Sequence, residues 1–323
     1  MLYNFVKIFA RLAIRICCRD IKLNNKWLFY KCKGPLLLAV NHPNSFLDAI
    51  ILCTLFNEPV YSLARGDAFK GKLISRILAA FKMLPVYRAS EGVENLEDNY
   101  KTFNDCSEIF KQNGIVLIFS EGKCINEWHL RPLKKGTARL AIAAWQQNVP
   151  LRILPIGINY SSFNLFGKNV HINTGKPIEY KNMVNNFTDN GRLLNEVTNS
   201  VQMELQNLVY EIDLNDKQQL AGIFYVPVNI FKKLLLVIPA AAGWLVHCPL
   251  YFAVKKFIEK KGLHSDHHDA VMFCLLFLLY PFYLAGWALV LYILLADYWW
   301  ALSFIIWPFT AWCYVQVKQQ TDK

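Results

Sequence analysis

An α/β domain with a largely parallel sheet flanked by helices, followed by C-terminal hydrophobic membrane helices, is the architecture this sequence predicts. Three observations predict it. Strand-like and helix-like segments alternate from Trp27 to about Gly175, the order that yields parallel sheets with ligand sites at strand carboxyl ends. Polar residues punctuate those ends at Asn41-His42, Arg88, Ser120-Glu121-Gly122 and around Pro155. Beyond Tyr225 the composition changes: Leu234 to Val254, Val271 to Ala296 and Tyr298 to Val317 contain no Asp, Glu, Lys or Arg. Each run is near the roughly 20 residues that a spanning helix needs.

Residues 1–24 read as an amphipathic helix at a membrane interface. Lys7, Arg11, Arg15 and Arg19 recur every four residues, which places them on one helical face. Phe5, Ile8, Phe9, Leu12 and Ile16 fill most of the remainder. Such a helix lies in the bilayer surface with its basic face toward anionic headgroups. Basic residues run through the apolar part, and no small-residue cleavage site follows, unlike a secretory leader.

Residues 25–225 form the predicted α/β domain. Trp27 to Cys32, Leu36 to Val40, Val60 to Ala64, Met83 to Tyr87, Ile115 to Phe119 and Arg152 to Tyr160 are short apolar runs that read as strands. Ser45 to Phe56, Lys70 to Phe81, Val93 to Gln112 and Leu133 to Gln147 have helical spacing, and Asn185 to Leu214 is a polar helical closing segment.

Residues 226–323 are expected to be membrane-embedded. Tyr298, Trp299, Trp300, Trp307 and Tyr314 supply interfacial aromatics. Leu234 to Val254 contains Pro239, His247 and Pro249, and the loop Lys255 to Asp269 holds four lysines. Three full spans would carry those lysines to the far side, against the positive-inside tendency. A re-entrant or interfacial first segment followed by a transmembrane hairpin is therefore expected, with the α/β domain facing the cytoplasm. His264, His267, His268, Asp266 and Asp269 read as a solvated membrane-proximal loop.

The 323 residues are 54% hydrophobic and carry a formal net charge of +11, and the mean hydropathy is +0.21. A strongly basic chain has an anionic partner. No zinc-finger, RNA-binding or basic-zipper pattern is present, which leaves a membrane surface or phosphorylated small molecules, and no nucleic acid. The nine cysteines lack metal-type spacing and read as reduced packing residues; Cys124 stands apart because it falls inside a motif.

The chemistry centres on Leu36 to Asp48. A wholly apolar strand ends at Asn41-His42, Pro43 stops pairing, and Ser45-x-x-Asp48 has the form of a capping box before an apolar helix. His42 is thereby held beside a helix N-terminus with Asp48 one turn in. That geometry suits a general base, one ring nitrogen fixed by an acceptor and the other free for a hydroxyl. Further on come Leu84-Pro85-Val86-Tyr87-Arg88, then Phe119-Ser120-Glu121-Gly122-Lys123, then Val149-Pro150 through Pro155-Ile156. Singly, each has a bland reading as a strand end, a tight turn or a basic helix start.

In this order the motifs resemble those of the glycerolipid acyltransferase family, in particular the 1-acylglycerol-3-phosphate acyltransferases, over roughly Lys33 to Pro177. The resemblance implies His42 as base and Asp48 as its orienting acid. It further implies Arg88 as a ligand of the glycerol phosphate, with Glu121 and Gly122 shaping the acceptor pocket. No metal or other cofactor is implied, and the acyl donor is a thioester of coenzyme A or acyl carrier protein. The family spaces His and Asp by four residues, whereas Pro43 to Leu47 makes five here, as in glycerol-phosphate acyltransferases of a eukaryotic type. Its Phe-Pro-Glu-Gly-Thr-Arg block has Ser120, Lys123 and Cys124 in place of Pro, Thr and Arg. Lys123, Arg131, Lys134 and Lys135 are the candidate replacements for that arginine. Backbone N–H groups around Gly122 or the helix start are the candidate oxyanion donors.

The expected activity is transfer of an acyl group to the hydroxyl of lysophosphatidic acid, giving phosphatidic acid, with membrane phospholipids around the enzyme. Glycerol 3-phosphate or another lipid hydroxyl as acceptor, and a lipid-binding scaffold without turnover, are the alternatives. A hydrolase is disfavoured because no Gly-x-Ser-x-Gly elbow exists.

Overall fold

The computed structural model describes residues 2–87, 96–183, 190–262, 266–295, 298–318 and 320. Strand β2 (Leu36–Val40) is its centre, and all five residues are buried. It pairs in parallel with strand β5 (Ile115–Phe119) on one side and strand β6 (Arg152–Tyr160) on the other. Val40 stands opposite both Phe119 and Ile156. The carboxyl ends of β2 and β5 therefore lie level, so Asn41 and Ser120 leave the sheet together.

Strand β3 (Val60–Arg65) extends the sheet beyond β5, and β4 (Met83–Val86) forms that edge. On the other side β7 (Lys168–Thr174) runs antiparallel to β6, and β1 (Cys18–Leu23) closes the edge parallel to β7. The short β8 (Ile178–Glu179) pairs with β6. The sheet thus begins at Cys18, inside the segment read as belonging to the N-terminal helix.

A strand buried on both faces reads as a continuous apolar run, and β2 divides its side chains accordingly. Leu37 and Ala39 pack with Val116, Ile118 and Ile153 under helices α5 (Leu96–Lys111), α6 (Gly136–Gln146) and α7 (Asn190–Gln206). Leu36, Leu38 and Val40 face the opposite way, toward helices α1 (Leu2–Cys17) and α3 (Ser45–Leu55). Trp27 to Cys32 is not a strand. Lys26–Lys31 forms helix α2, because the Asn25 side chain caps the Leu28 N–H and only Phe29 is fully buried, with Leu28 half-buried beside it. Helix α4 (Lys72–Ala80) connects β3 to β4.

Helix α1 docks the reverse way from expectation. Lys7 Nζ donates to the carbonyls of Asn57 and Glu58 at 3.1 and 3.3 Å, and Arg11 donates to that of Thr54 at 2.9 and 2.6 Å. Cations at the carbonyl end of α3 are favoured by its dipole. Part of the basic face therefore serves the domain, and Phe5, Ile8, Phe9 and Leu12 stay exposed.

After helix α8 (Lys217–Phe224) come α9 (Ile230–Lys260), α10 (His268–Leu295) and α11 (Ser303–Val317). Among the described residues three segments, Ile230–Lys260, His268–Leu295 and Tyr298–Val317, are long and apolar enough to cross a membrane. Gly243 of α9 leaves no room for a Cβ against the Thr310 carbonyl of α11. Segments on either side of α9 are tied to the α/β domain. Near its start Val226 N–H donates to Gln320, which also accepts from Asn169 of β7. On the other side, two residues before α10, Asp266 accepts from the Asn126 N–H at 3.0 Å. Ala270 and Phe273 of α10 belong to the core beneath β2, so the apolar tail and the sheet share packing.

Leu38 lies at zero exposure where β2 meets this shared core. Leu38→Ala should cost about 2–5 kcal/mol of stability, read as a lower denaturation midpoint in detergent. Leu73→Ala, at a 72% exposed position, should leave the midpoint in place.

Candidate active site

Asn41, the first residue beyond β2, clamps the strand end to its neighbour. Its Nδ2 donates to the Ile158 carbonyl at 3.0 Å and its Oδ1 accepts the Ile158 N–H at 2.8 Å. The next residue, His42, is thereby presented at a fixed height. Its imidazole lies flat on Phe119, with centroids 3.7 Å apart and planes 12° from parallel. Its backbone N–H donates to Glu121 Oε2 at 3.1 Å.

Asp48, within the first turns of α3, has zero exposure. His42 Nδ1–H donates to its Oδ2 at 2.9 Å, and the Asn44 N–H donates to the same oxygen at 2.9 Å. The Tyr160 hydroxyl donates to Oδ1 at 2.6 Å. Burial, with Asp48 adding to it, pushes the Tyr160 phenol well up, so it stays a donor. With Nδ1 committed to the carboxylate, Nε2 carries the lone pair. Among the described residues nothing hydrogen-bonds Nε2, and the His42 side chain keeps 17% exposure.

The five-residue spacer closes because Ser45 adopts φ +53°, a left-handed conformation that costs a non-glycine residue on the order of 1–3 kcal/mol. Ser45 does not act as the expected cap. Asn44 takes the cap position, and Asp48 reaches back to the Asn44 N–H. The Ser45 N–H donates to Cys124 Sγ at 2.9 Å.

Glu121 is a brace. It accepts from the His42 N–H, from the Arg131 N–H at 3.2 Å and from Arg131 Nη2 at 2.5 Å. Burial pushes its carboxyl up against the opposing pull of Arg131. Arg131, expected among the phosphate-binding cations, is turned inward by Glu121 and the Lys123 carbonyl. Lys123, Lys134 and Lys135 remain exposed at the turn. Gly122 needs φ +69°, and a Cβ there would stand 3.0 Å from Lys134 Cγ. Of the expected oxyanion donors, the Gly122 N–H goes to the Phe119 carbonyl at 3.1 Å, and those of Asn44 and Ser45 go to Asp48 and Cys124. Arg88 lies outside the described residues, as does His264.

The segment entering α10 is solvated only in part: His267 is exposed, yet it and Asp269 reach the domain. Asp269 is 3% exposed, and His267 Nδ1 lies 2.6 Å from Ser45 Oγ. Sequence reasoning also missed Tyr160. Its place as the last residue of a strand whose carboxyl end faces the site was the available signal.

Residues 17–159 match the model of the acyltransferase family. No curated protein sequence matches. Among solved structures, the 1-acyl-sn-glycerophosphate (LPA) acyltransferase PlsC from Thermotoga maritima is similar with a TM-score of 0.44 at 14% identity. That match covers 64% of this chain and 79% of that one.

Burial and the Asp48 charge push the Cys124 thiol up to about 12, whereas an ordinary thiol titrates near pH 8.5. The thiol should therefore stay protonated, and alkylation by iodoacetamide at pH 8 should be far slower than in the urea-unfolded chain. Rapid labelling of the native protein, followed by peptide mass spectrometry, would contradict the geometry.

Proposed function

Residues 17–159 form a domain of the acyltransferase family, and from that premise we propose a membrane-bound O-acyltransferase acting on lysophosphatidic acid. The observation that carries the reading is the buried Asp48 holding His42 Nδ1, which leaves Nε2 as a base beside the strand ends.

His42 Nε2 removes the proton of the acceptor hydroxyl as its oxygen attacks the thioester carbonyl. The tetrahedral intermediate collapses with cleavage of the carbon–sulfur bond, and the imidazolium returns the proton to the leaving thiolate. A new ester bond and a free thiol result. Such base catalysis contributes about 10²- to 10⁴-fold. Lys123 and Lys134, exposed beside Gly122, receive the acceptor phosphate as point charges. Arg88 keeps the phosphate-binding role that its motif implies. The donor is a thioester of coenzyme A or acyl carrier protein.

The exposed apolar face of α1 and the apolar helices that follow α8 meet the bilayer, giving phosphatidic acid in its place of use, phospholipid biosynthesis. The domain ties on either side of α9 favour a first segment lying at the interface, with α10 and α11 as the transmembrane hairpin. Lys255 and Lys256 then stay on the cytoplasmic side with the active site.

Purified protein should acylate lysophosphatidic acid from one of the two thioester donors, and His42→Asn should lower turnover about 10²- to 10⁴-fold while vesicle binding persists. In the same assay Lys123→Ala and Lys134→Ala should raise the acceptor KM more than they lower kcat. Turnover unchanged in His42→Asn would reject the base; activity with glycerol 3-phosphate alone would reassign the acceptor. The topology has its own check: amine reagents that cannot cross membranes should leave Lys255 and Lys256 unlabelled in intact cells, and labelling there would refute it.

A further inference from the structure

The turn between His42 and Asp48 is held from outside the family-matched region, by Asp266, His267 and Asp269 at the start of α10. Asn44 Nδ2 donates to Asp269 Oδ2 at 2.7 Å. Ser45 Oγ lies 2.6 Å from His267 Nδ1. On the other side of the turn, the Asn126 N–H donates to Asp266 Oδ1 at 3.0 Å, and Cys124 Sγ lies 3.7 Å from the Asp266 carbonyl oxygen.

Asp269 is itself immobilised. It is ion-paired with Lys168 at the start of β7, and the two side chains are 4% and 0% exposed. Asn44 is fully buried, and its backbone N–H is one of the three donors to Asp48. A continuous series of contacts therefore runs from Lys168 through Asp269 and Asn44 to Asp48 and the imidazole. Lys168 and Asp269 lie beyond residues 17–159, where the family match ends.

Resting on the acyltransferase reading, we propose that Asp269 is a positioning residue for the reaction, anchored by Lys168. It acts through Asn44 to set the angle at which the five-residue spacer presents Asp48 to His42. The spacer needs such an anchor because Ser45 sits in a conformation it would leave if unrestrained. Functional groups must be held within about 0.5 Å by supporting contacts, and a displacement of about 1 Å costs on the order of 100-fold in rate. The first turn of α10 thus belongs to the catalytic apparatus, and the seating of the apolar tail on the domain becomes a condition for turnover.

The experiment uses the full chain in detergent or vesicles, with lysophosphatidic acid and an acyl thioester. Asn44→Ala keeps the backbone N–H that Asp48 accepts and leaves the Lys168–Asp269 pair intact. It should lower kcat about 10- to 100-fold with both KM values unchanged. A variant that merely loosened the fold would lower the melting temperature without this selective loss of kcat. The double variant Lys168→Met with Asp269→Leu removes the pair without stranding a buried charge and should give the same signature. His267→Ala alters an exposed side chain, so folding is not at stake, and it should show a smaller loss in kcat of the same kind. It alone decides the matter where Asn44→Ala does not fold. Wild-type kcat in these variants, whatever their melting temperature, would overturn the proposal. Failure of the wild-type chain to transfer acyl groups would instead overturn the reading beneath it.

Discussion

A carboxylate removed from water must be matched by donors, and that requirement at Asp48 organises the structure. Three donors meet it from three places: the imidazole beyond β2, the backbone of the spacer, and the hydroxyl at the end of β6. A buried carboxylate without such partners would take up a proton or unfold its surroundings. With them, it fixes the histidine tautomer and orientation together. The parallel register supplies the condition for this meeting. Because Val40 stands level with Phe119 and Ile156, the stacking ring, the clamp at Asn41 and the phenol of Tyr160 gather around one strand end.

The apolar tail is part of the same construction. Ala270 and Phe273 join the core beneath β2, and the Lys168–Asp269 pair sits where solvent does not reach. Breaking a buried pair from one side costs about 3–5 kcal/mol, so the tail and the domain are held to each other by more than apolar contact. The N-terminal helix shows a matching division of labour. Lys7 and Arg11 satisfy carbonyls at the end of α3, and the apolar stripe is left facing outward.

How much of this was legible in the sequence follows burial. The core strands β2, β5 and β6 are apolar runs bounded by turns, and their limits can be read residue by residue. The edge strand β1 and its neighbour β7, with sequences CRDIKL and KNVHINT, carry charge and amide groups that periodicity assigns to loops. Trp27 to Cys32 has strand composition, but the capping of Asn25 decides for a helix. At the site, His42 and Asp48 were legible because a motif spaces them closely. Tyr160 and Asp269 were not, since their relation to Asp48 exists only once distant segments pack. One trace of Asp269 was present: a carboxylate opening an otherwise uncharged apolar run calls for a partner.

The departures from the acyltransferase motifs become intelligible as a set. A fifth residue in the spacer forces a turn, and the turn leaves the Ser45 N–H pointing at position 124. The thiol there accepts that N–H and borders the Asp266 carbonyl. An arginine in its place could accept nothing, because a guanidinium has only donors, and it would set a cation where the Ser45 N–H needs an acceptor. Cysteine at 124, the lengthened spacer and the loop entering α10 therefore depend on one another. On the proposed acyltransferase reading, the positive charge that the motif places at 124 is supplied by lysines exposed around the same turn, Lys123, Lys134 and Lys135.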